Sequence, residues 1–330
     1  MEKYMKQCSS PISVVMSVFN GQRYLREAID SILDQSFADF EFIIIDDGST
    51  DNTSKIILSY TDPRIRFIKQ KNMGLAAALN RGIKLSNGKY IARMDADDIS
   101  LPCRLEKQYQ FMEENQHILA LGSAVELIDM NGTHICYASK STSYSELKRQ
   151  LPSTPFVHPT VMFRRQVFFQ AGGYPESFKW GGEDTVLFNK MAQMGQISNL
   201  SEPLLKYRIS PYASTRYTVK YRNMLEKLTI KAANGLPISK DEFEQLKDAN
   251  KKLSLKTKWY IYHLELSMKY LWYSRKPKLA RSHLLKALHF NKCSLSALTL
   301  LCLSFLPPNY AQSICKTMYN FFQKIYSFNR

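Results

Sequence analysis

At 330 residues, with 45% hydrophobic and 12% aromatic side chains and neither a low-complexity segment nor an internal repeat, the chain has globular composition, which excludes a disordered or fibrous protein. Its net charge of +16 is unevenly spread: residues 1–215 hold 24 Lys/Arg against 23 Asp/Glu, and residues 216–330 hold 21 against 6. A nearly neutral front and a strongly basic rear predict two regions, 1–215 and 216–330, the second facing an anionic partner, either membrane or nucleic acid.

Ile12–Phe19 is a continuous apolar, β-branched run, the pattern of a strand covered on both faces, and Asn20-Gly21 ends it. A helix is predicted from about Tyr24 to Leu33, with Leu25, Ala28, Ile29 and Leu33 on one face. Phe40–Ile45 reads as a second buried strand and runs into Asp46-Asp47-Gly48-Ser49-Thr50-Asp51. Strand, helix and strand at this spacing predict a right-handed parallel crossover. Asp51–Ser54 can cap a short helix to about Tyr60, Ile65–Ile68 reads as a third strand, and Asn72–Leu75 opens an alanine-rich helix to Ile83. Tyr90–Met94 is a fourth strand, and it delivers Asp95, Asp97 and Asp98. The alternation predicts an α/β domain on a mostly parallel sheet.

In such sheets ligands sit beyond the carboxyl ends of the strands. Ser17–Asn20, Asp46-Asp47 and Asp95–Asp97 all fall there, so three polar clusters are expected around one crevice. Asp95 and Asp97, two apart in extended backbone, point the same way and can share one hard divalent cation, with a diphosphate filling its open positions. A lone D-x-D is more often a polar turn, and its neighbours give this one its weight. Neither G-x-G-x-x-G nor G-x-x-x-x-G-K-[ST] occurs, which disfavours dinucleotide and P-loop enzymes. Further on, Pro152–Val157 reads as a loop, His158–Arg165 as a strand returning toward the site, Ala171–Tyr174 as a turn, and Gly181-Gly182-Glu183-Asp184 as the start of an apolar helix. Two acids in a first turn suit the helix dipole with or without catalysis, and a histidine before proline is more often structural than substrate-binding.

The segments VVMSVFNG (14–21), IIIDDGSTDNT (43–53), NMGLAAALNRGI (72–83) and YIARMDADDI (90–99), in this order, resemble the inverting family-two glycosyltransferases of bacterial cell-surface polysaccharide and glycolipid synthesis, and the similarity continues to Thr215. The resemblance implies the GT-A nucleotide-diphospho-sugar transferase fold, a Rossmann-like mostly parallel sheet, here followed by an α-helical region. It implies metal-dependent transfer of a hexosyl or N-acetylhexosaminyl group from a nucleotide sugar, expected to be UDP-linked, to a hydroxyl of a glycan or lipid-linked acceptor. Carried over by residue, it implies that the Phe19 ring stacks on the base and the Asp47 carboxylate accepts its N–H, with Asn20, Asp46 and Ala96 also in the nucleotide site; capping its own turn is an equal alternative for Asp46. Asp95 and Asp97 would hold Mn2+ or Mg2+, with Asp98 outside the metal's contacts. Asp184 would be the catalytic base and Glu183 the runner-up. Arg208 would meet a phosphate, although Ser210 stands where the family often has histidine.

In the rear, Tyr217–Lys247 is helical apart from Asn234–Pro237, and residues 251–330 carry 14 Lys/Arg and a single acid, Glu265. Trp259, Tyr260, Tyr262, Tyr270, Trp272 and Tyr273 are interleaved with these cations. Lys276–His289 reads as a basic amphipathic helix with Leu284, Leu285 and Leu288 on one side. The 13 uncharged residues Ser294–Leu306 are too few to span a bilayer, which takes about 20, and either join a helical bundle or lie in a membrane interface. Together these features predict docking on an anionic membrane surface, at the cytoplasmic face of the inner membrane. Six cysteines (Cys8, Cys103, Cys136, Cys293, Cys302, Cys315) without a C-x-x-C pair, and no apolar core in Met1–Ser10, predict a reducing, cytoplasmic setting with buried thiols. The competing readings are a nucleic-acid-binding protein using the basic aromatic tail, against which the acidic crevice and the lack of any motif speak, and a catalytically silent nucleotide-sugar binder. No nucleic-acid partner is therefore expected, and the oligomeric state is left open.

Overall fold

A computed structural model describes residues 10–179, 181–212, 219–249 and 253–306, so the expected boundary between residues 215 and 216 lies outside the described residues. They form two compact units. The first holds the described residues through Val125 with Ala138–Lys179 and Glu183–Tyr207; the second holds Glu126–Tyr137, Gly181, Gly182 and the described residues from Arg208 onward.

The first unit opens with β1 (Ile12–Val18), α1 (Leu25–Leu33), β2 (Phe40–Asp46), α2 (Thr53–Leu58), β3 (Ile65–Lys69), α3 (Leu75–Leu85) and β4 (Tyr90–Asp95). β1 pairs in parallel with β2 and β4, and β2 with β3. The β-branched runs go to these strands because both faces are covered, leaving no position that must be polar. The core joins Val15, Leu79, Ile83, Ile91, Phe163, Phe168 and Leu187, packing helices directly on the central strands.

After β4 the chain forms β5 (Ile99–Ser100), α4 (Arg104–Glu114), β6 (Ile118–Ile128), β7 (His134–Ala138), α5 (Tyr144–Gln150), β8 (Met162–Arg164), α6 (Arg165–Gln170), α7 (Glu183–Met194) and β9 (Gln196–Arg208). The strand order is β3-β2-β1-β4-β8-β6-β9-β5, with β7 on β6. The parallel half thus continues into strands that pair antiparallel, β4 with β8, β8 with β6, and β9 with β5. The strand expected over His158–Arg165 is shorter: His158–Thr160 is a 3-10 turn and Arg165 already opens α6. Pro159 has no N–H to give a ladder, so the chain turns there first.

The second unit adds α8 (Val219–Ala233), α9 (Lys240–Ala249), α10 (Leu255–Trp272), α11 (Pro277–Phe290) and α12 (Leu295–Leu303). Every residue of α10 from Tyr260 to Trp272 is buried. The expectation that the aromatics of this stretch face an interface is therefore corrected for Tyr260, Tyr262, Tyr270 and Trp272, while Tyr273 is exposed. Large rings bury the most apolar area, and here they supply the helical core: Trp259 stacks on Phe290 with centroids 6.1 Å apart and meets Tyr262 edge-on at 5.7 Å. The same burial removes the stacking surface that a nucleic-acid reading needs. On α11 the inner face is Ala280, His283, Leu284 and Ala287, and Leu285 is turned out, 60% exposed. Cys136 is buried as expected, but Cys293 and Cys302 are exposed; Cys8 and Cys315 lie outside the described residues. No described helix is long and apolar enough to cross a membrane.

Candidate active site

The ladder registers set the strand ends level: Val18 lies opposite Asp46, Asp46 opposite Lys69, and Ser17 opposite Asp95. Three loops therefore leave the parallel half at one edge, and their backbones are tied together. Asn20, in the left-handed region at φ 52, donates its N–H to Ser49 Oγ (2.9 Å) while its Oδ1 accepts from Thr50 N (2.9 Å). Asparagine tolerates that backbone conformation better than most residues. A Cβ on Gly21 would come within 2.5 Å of Val18 Cγ2 and 3.8 Å of the Ala96 Cβ, so the turn after β1 is packed close to the D-x-D. Phe19, at the head of this turn, leaves 52% of its surface exposed.

The two acids at the end of β2 have partners within the chain. Asp46 is fully buried, accepts from Ser49 N (2.8 Å) and from the Ser54 hydroxyl, and lies 3.9 Å from Lys69 Nζ, which is the turn-capping alternative realised. Asp47 accepts from Gln70 Nε2 (2.7 Å), Met73 N (2.9 Å) and Gly74 N (2.8 Å), and so fixes the entry to α3.

Asp95, Asp97 and Asp98 each offer a carboxylate oxygen within 4.8 Å of the other two, a grouping wider than the Asp95–Asp97 pair read from spacing. A set of hard oxygen donors at this separation suits Mn2+ or Mg2+. Beneath it lies Arg93, almost fully buried, with Nη1 2.5 Å from Asp95 Oδ2. Burial works against the guanidinium charge, but Asp95 and its neighbours more than restore it and hold Arg93 above its usual range. Arg104, also buried, donates Nη2 to the Arg93 carbonyl (2.6 Å); burial and the Arg93 charge push it down to about 9, with Asp98 acting the other way. Tyr207 on β9 completes this wall. Burial and the charges of Asp98, Asp95 and Asp97 push its phenol up, so it keeps its proton.

The second acidic pair arrives with α7. Glu183 is buried, and burial raises its carboxyl, the adjacent Asp184 charge raising it further. Burial also raises Asp184, opposed by the Thr185 N–H (2.7 Å) and by Arg93. The antiparallel pairing of β8 with β4 brings the turn before β8 to the D-x-D end of the sheet, with Arg93 N donating to Val161 O (2.9 Å). His158 Nδ1 is then 3.9 Å from Asp184 Oδ2, and Nε2 is 2.8 Å from the Tyr174 hydroxyl. Burial, then Arg93, holds His158 well below its usual pKa, so the imidazole is neutral. A phenol donating to Nε2 leaves the Nδ1 proton on the Asp184 side. Tyr174 is itself clamped by Asn80 of α3, whose Oδ1 accepts from Tyr174 N (3.0 Å) and whose Nδ2 donates to its carbonyl (2.9 Å).

The structure thus brings Asp95, Asp97, Glu183 and Asp184 around one guanidinium, and seats Asp46 at the end of β2 and Phe19, Asn20, Asp47 and Ala96 on the loops at the same sheet edge. Arg208 belongs to the second unit, where it is buried and Nη1 donates to the Asp129 carbonyl (3.4 Å). Arg93 was missed from sequence. It lies two residues before Asp95 on β4, so strand alternation aligns these two, whereas Asp97 lies in the turn beyond the strand and not in the extended backbone expected for it. Tyr174 and Asn80 carried no comparable signal, being 94 residues apart.

Residues 13–172 match glycosyl transferase family 2, and residues 139–210 match the N-terminal domain of galactosyltransferase. The chain is 37% identical over 216 residues to the putative glycosyltransferase EpsE of Bacillus subtilis, covering 64% of this chain and 77% of EpsE. It is 36% identical over 233 residues to the O-antigen biosynthesis glycosyltransferase WbnJ of Escherichia coli, covering 66% and 91%. Of an uncharacterized glycosyltransferase of Rickettsia felis, 37% identical over 206 residues, it spans 34% of the length and matches with 62% of its own. Among solved structures, Staphylococcus aureus TarS 1–349 in complex with UDP-GlcNAc superposes with a TM-score of 0.55 at 17% identity, covering 94% of this chain and 92% of that one. The mannosyltransferase PcManGT of Pyrobaculum calidifontis, in complex with GDP-Man and Mn2+, gives 0.51 at 17%, covering 95% and 88%. Both carry the same fold.

Proposed function

The chain belongs to glycosyl transferase family 2, and on that footing we propose that it transfers a sugar, with inversion, from a nucleotide-sugar donor to an acceptor hydroxyl. The observation that carries this reading is the meeting of Asp95, Asp97 and Asp98 with Glu183 and Asp184 around the buried Arg93, at the carboxyl ends of parallel strands. UDP is the nucleotide we assign, supported by the UDP-GlcNAc complex of TarS. The exposed Phe19 ring receives the base. Asp47 accepts the base N–H by sharing an oxygen now held by Gln70 and Met73. Asn20, Asp46 and Ala96 shape the loops around it.

Asp95 and Asp97 would hold a hard divalent cation, Mn2+ or Mg2+, which when bound neutralises charge on the departing diphosphate. Arg93 orients Asp95 from below and leaves its second oxygen free to face the donor. Asp184, more open than Glu183, takes the acceptor hydroxyl proton, and its raised pKa makes it a stronger base than an ordinary aspartate. The neutral His158 lies beside it, Nδ1 3.9 Å from Oδ2, and the Thr185 N–H holds the other carboxylate oxygen. The acceptor we assign is a glycan or lipid-linked hydroxyl in surface polysaccharide synthesis, met at the cytoplasmic face of the inner membrane. WbnJ, an O-antigen biosynthesis enzyme, supports that class.

The test is a panel of nucleotide sugars assayed for hydrolysis and transfer with Mn2+, Mg2+ or chelator, beside Asp184→Asn and Asp97→Ala. Metal-dependent release of the nucleoside diphosphate from one donor, lost in both variants, is the expected result. Full activity of Asp97→Ala would remove the metal assignment, and full activity of Asp184→Asn would remove the base.

A further inference from the structure

The outer face of α12 is largely apolar and unburied. Ala297 and Leu300 turn inward, whereas Leu295, Leu298, Thr299 and Cys302 turn outward; in the turn just after the helix Ser304 is buried and Phe305 and Leu306 are exposed. Leu295 is 79% exposed and Phe305 68%. This orientation is built in: Ser294 Oγ accepts from Ala297 N (3.1 Å) and lies 2.6 Å from the Tyr260 hydroxyl, so the start of the helix is pinned to α10 with Ala297 inside. No residue from Ser294 to Leu306 is charged.

Cations bracket that stripe. Lys292 is exposed just before it. At the other end the Arg281 guanidinium lies 4.6 Å over the Phe305 ring, and its Nη1 donates to the Ser304 carbonyl (3.3 Å). α11 packs on α12 and carries exposed Lys278 and Lys286 beside the exposed Leu285. Within described residues 253–306 the single acid is Glu265, which is buried with Lys269 at 3.8 Å, so this stretch itself exposes no carboxylate.

We propose that the outer face of α12, with the exposed cations of α11, docks on an anionic lipid surface. The leucine and phenylalanine side chains enter the headgroup–acyl boundary, and Lys278, Arg281, Lys286 and Lys292 meet lipid phosphates, their long stems letting the charges stay in the aqueous layer. An apolar stripe with cations at both ends matches that boundary on both counts. A second copy of the chain would bring the same excess of 21 Lys/Arg over 6 Asp/Glu in residues 216–330 against itself. A nucleic acid would use the cations and leave the leucines in water. The nine residues of α12 reach about 14 Å at 1.5 Å each, so the helix lies in the interface and does not span. Docking stands apart from the transfer reading, because vesicle binding needs neither donor nor metal.

The experiment is flotation of the full chain with vesicles of phosphatidylcholine alone and with 30% phosphatidylglycerol. The expected result is at least ~10-fold more binding to the anionic vesicles, weakened severalfold at high salt. Leu298→Asp/Phe305→Asp should lose ~10-fold or more of it while the circular dichroism melt and donor hydrolysis are unchanged. Lys278→Glu/Lys286→Glu/Lys292→Glu, all at exposed positions, should lose the anionic preference. Equal binding by wild type and the apolar double variant would overturn the proposal. So would absence of binding to anionic vesicles, whether accompanied by RNA binding or by a dimer in light scattering that the double variant breaks.

Discussion

Arg93 keeps a full charge where water scarcely reaches, and two sets of acids depend on it. A buried guanidinium is tolerable only with close counter-charges, here Asp95 at 2.5 Å and the field of Asp98. Arg93→Met is therefore expected to cost about 3–5 kcal/mol, because it leaves carboxylates buried without their partner; chemical denaturation would measure it. Arg93→Lys keeps the charge without the planar fork and should recover part of that loss. For the assigned base, Asp184→Asn should lower kcat by about 10²–10⁴-fold with donor binding retained, as read by calorimetry beside turnover. The pH profile follows from burial. Asp184 must lose its proton to act, so activity should rise with pH along a limb above the ordinary aspartate range, and titration of kcat/KM would locate it. Stability runs the other way. Glu183 binds its proton more readily folded than unfolded, so its contribution is full below the unfolded pKa and is lost as pH rises through the folded one. Glu183→Gln should then melt higher than wild type at pH 8 but not at pH 4. The aspartates of this site were legible because their spacing is local; the arginine beneath them was hidden in an apolar run whose facing partners are distant in sequence.

At the scale of elements, strand register does most of the positioning. Parallel pairing of β1 with β2 and β4 aligns three loop exits, and antiparallel pairing of β8 with β4 brings His158 to the same edge. The start of β4 is held where a Cβ on Gly88 would lie 2.6 Å from Ser13 N and 2.8 Å from the Ile12 carbonyl carbon. Backbone cannot rotate aside as a side chain can, so Gly88→Ala should destabilise by about 1–3 kcal/mol and lower the thermal midpoint, with donor affinity unchanged in the folded fraction. The parallel strands and their helices were readable because uninterrupted β-branched runs and short acid-ended turns are local patterns. The antiparallel half was not, since β6 and β9 are long strands that lie side by side in the sheet although a long stretch of chain separates them in sequence. On α11, Leu284 and Leu285 looked equivalent, yet adjacent helix positions differ by about 100° and only one could face α10.

For the whole molecule, folding and ligand binding should be linked. If the first unit holds a nucleoside diphosphate through Asp95 and Asp97, UDP with Mn2+ at about 100 times the dissociation constant should add about 2.7 kcal/mol, raising the melting temperature. Chelator should abolish the rise, and Asp97→Ala should lack it; scanning fluorimetry reads all three. The excess positive charge lies in the residues of the helical unit, whose described part from 253 to 306 exposes cations and leucines but no carboxylate. Local pattern alone sufficed for the α/β class, the four parallel strands, the acids at their ends and the charge asymmetry, because each depends on residues a few positions apart. Packing settled which faces are covered. It buried the aromatics of α10 that composition had suggested for a surface, left Leu295 and Leu298 of α12 outside, gave Asp47 its three donors and set Arg93 between two acidic pairs. Orientation depends on what lies across from a side chain, and in this chain that neighbour is commonly tens of residues away.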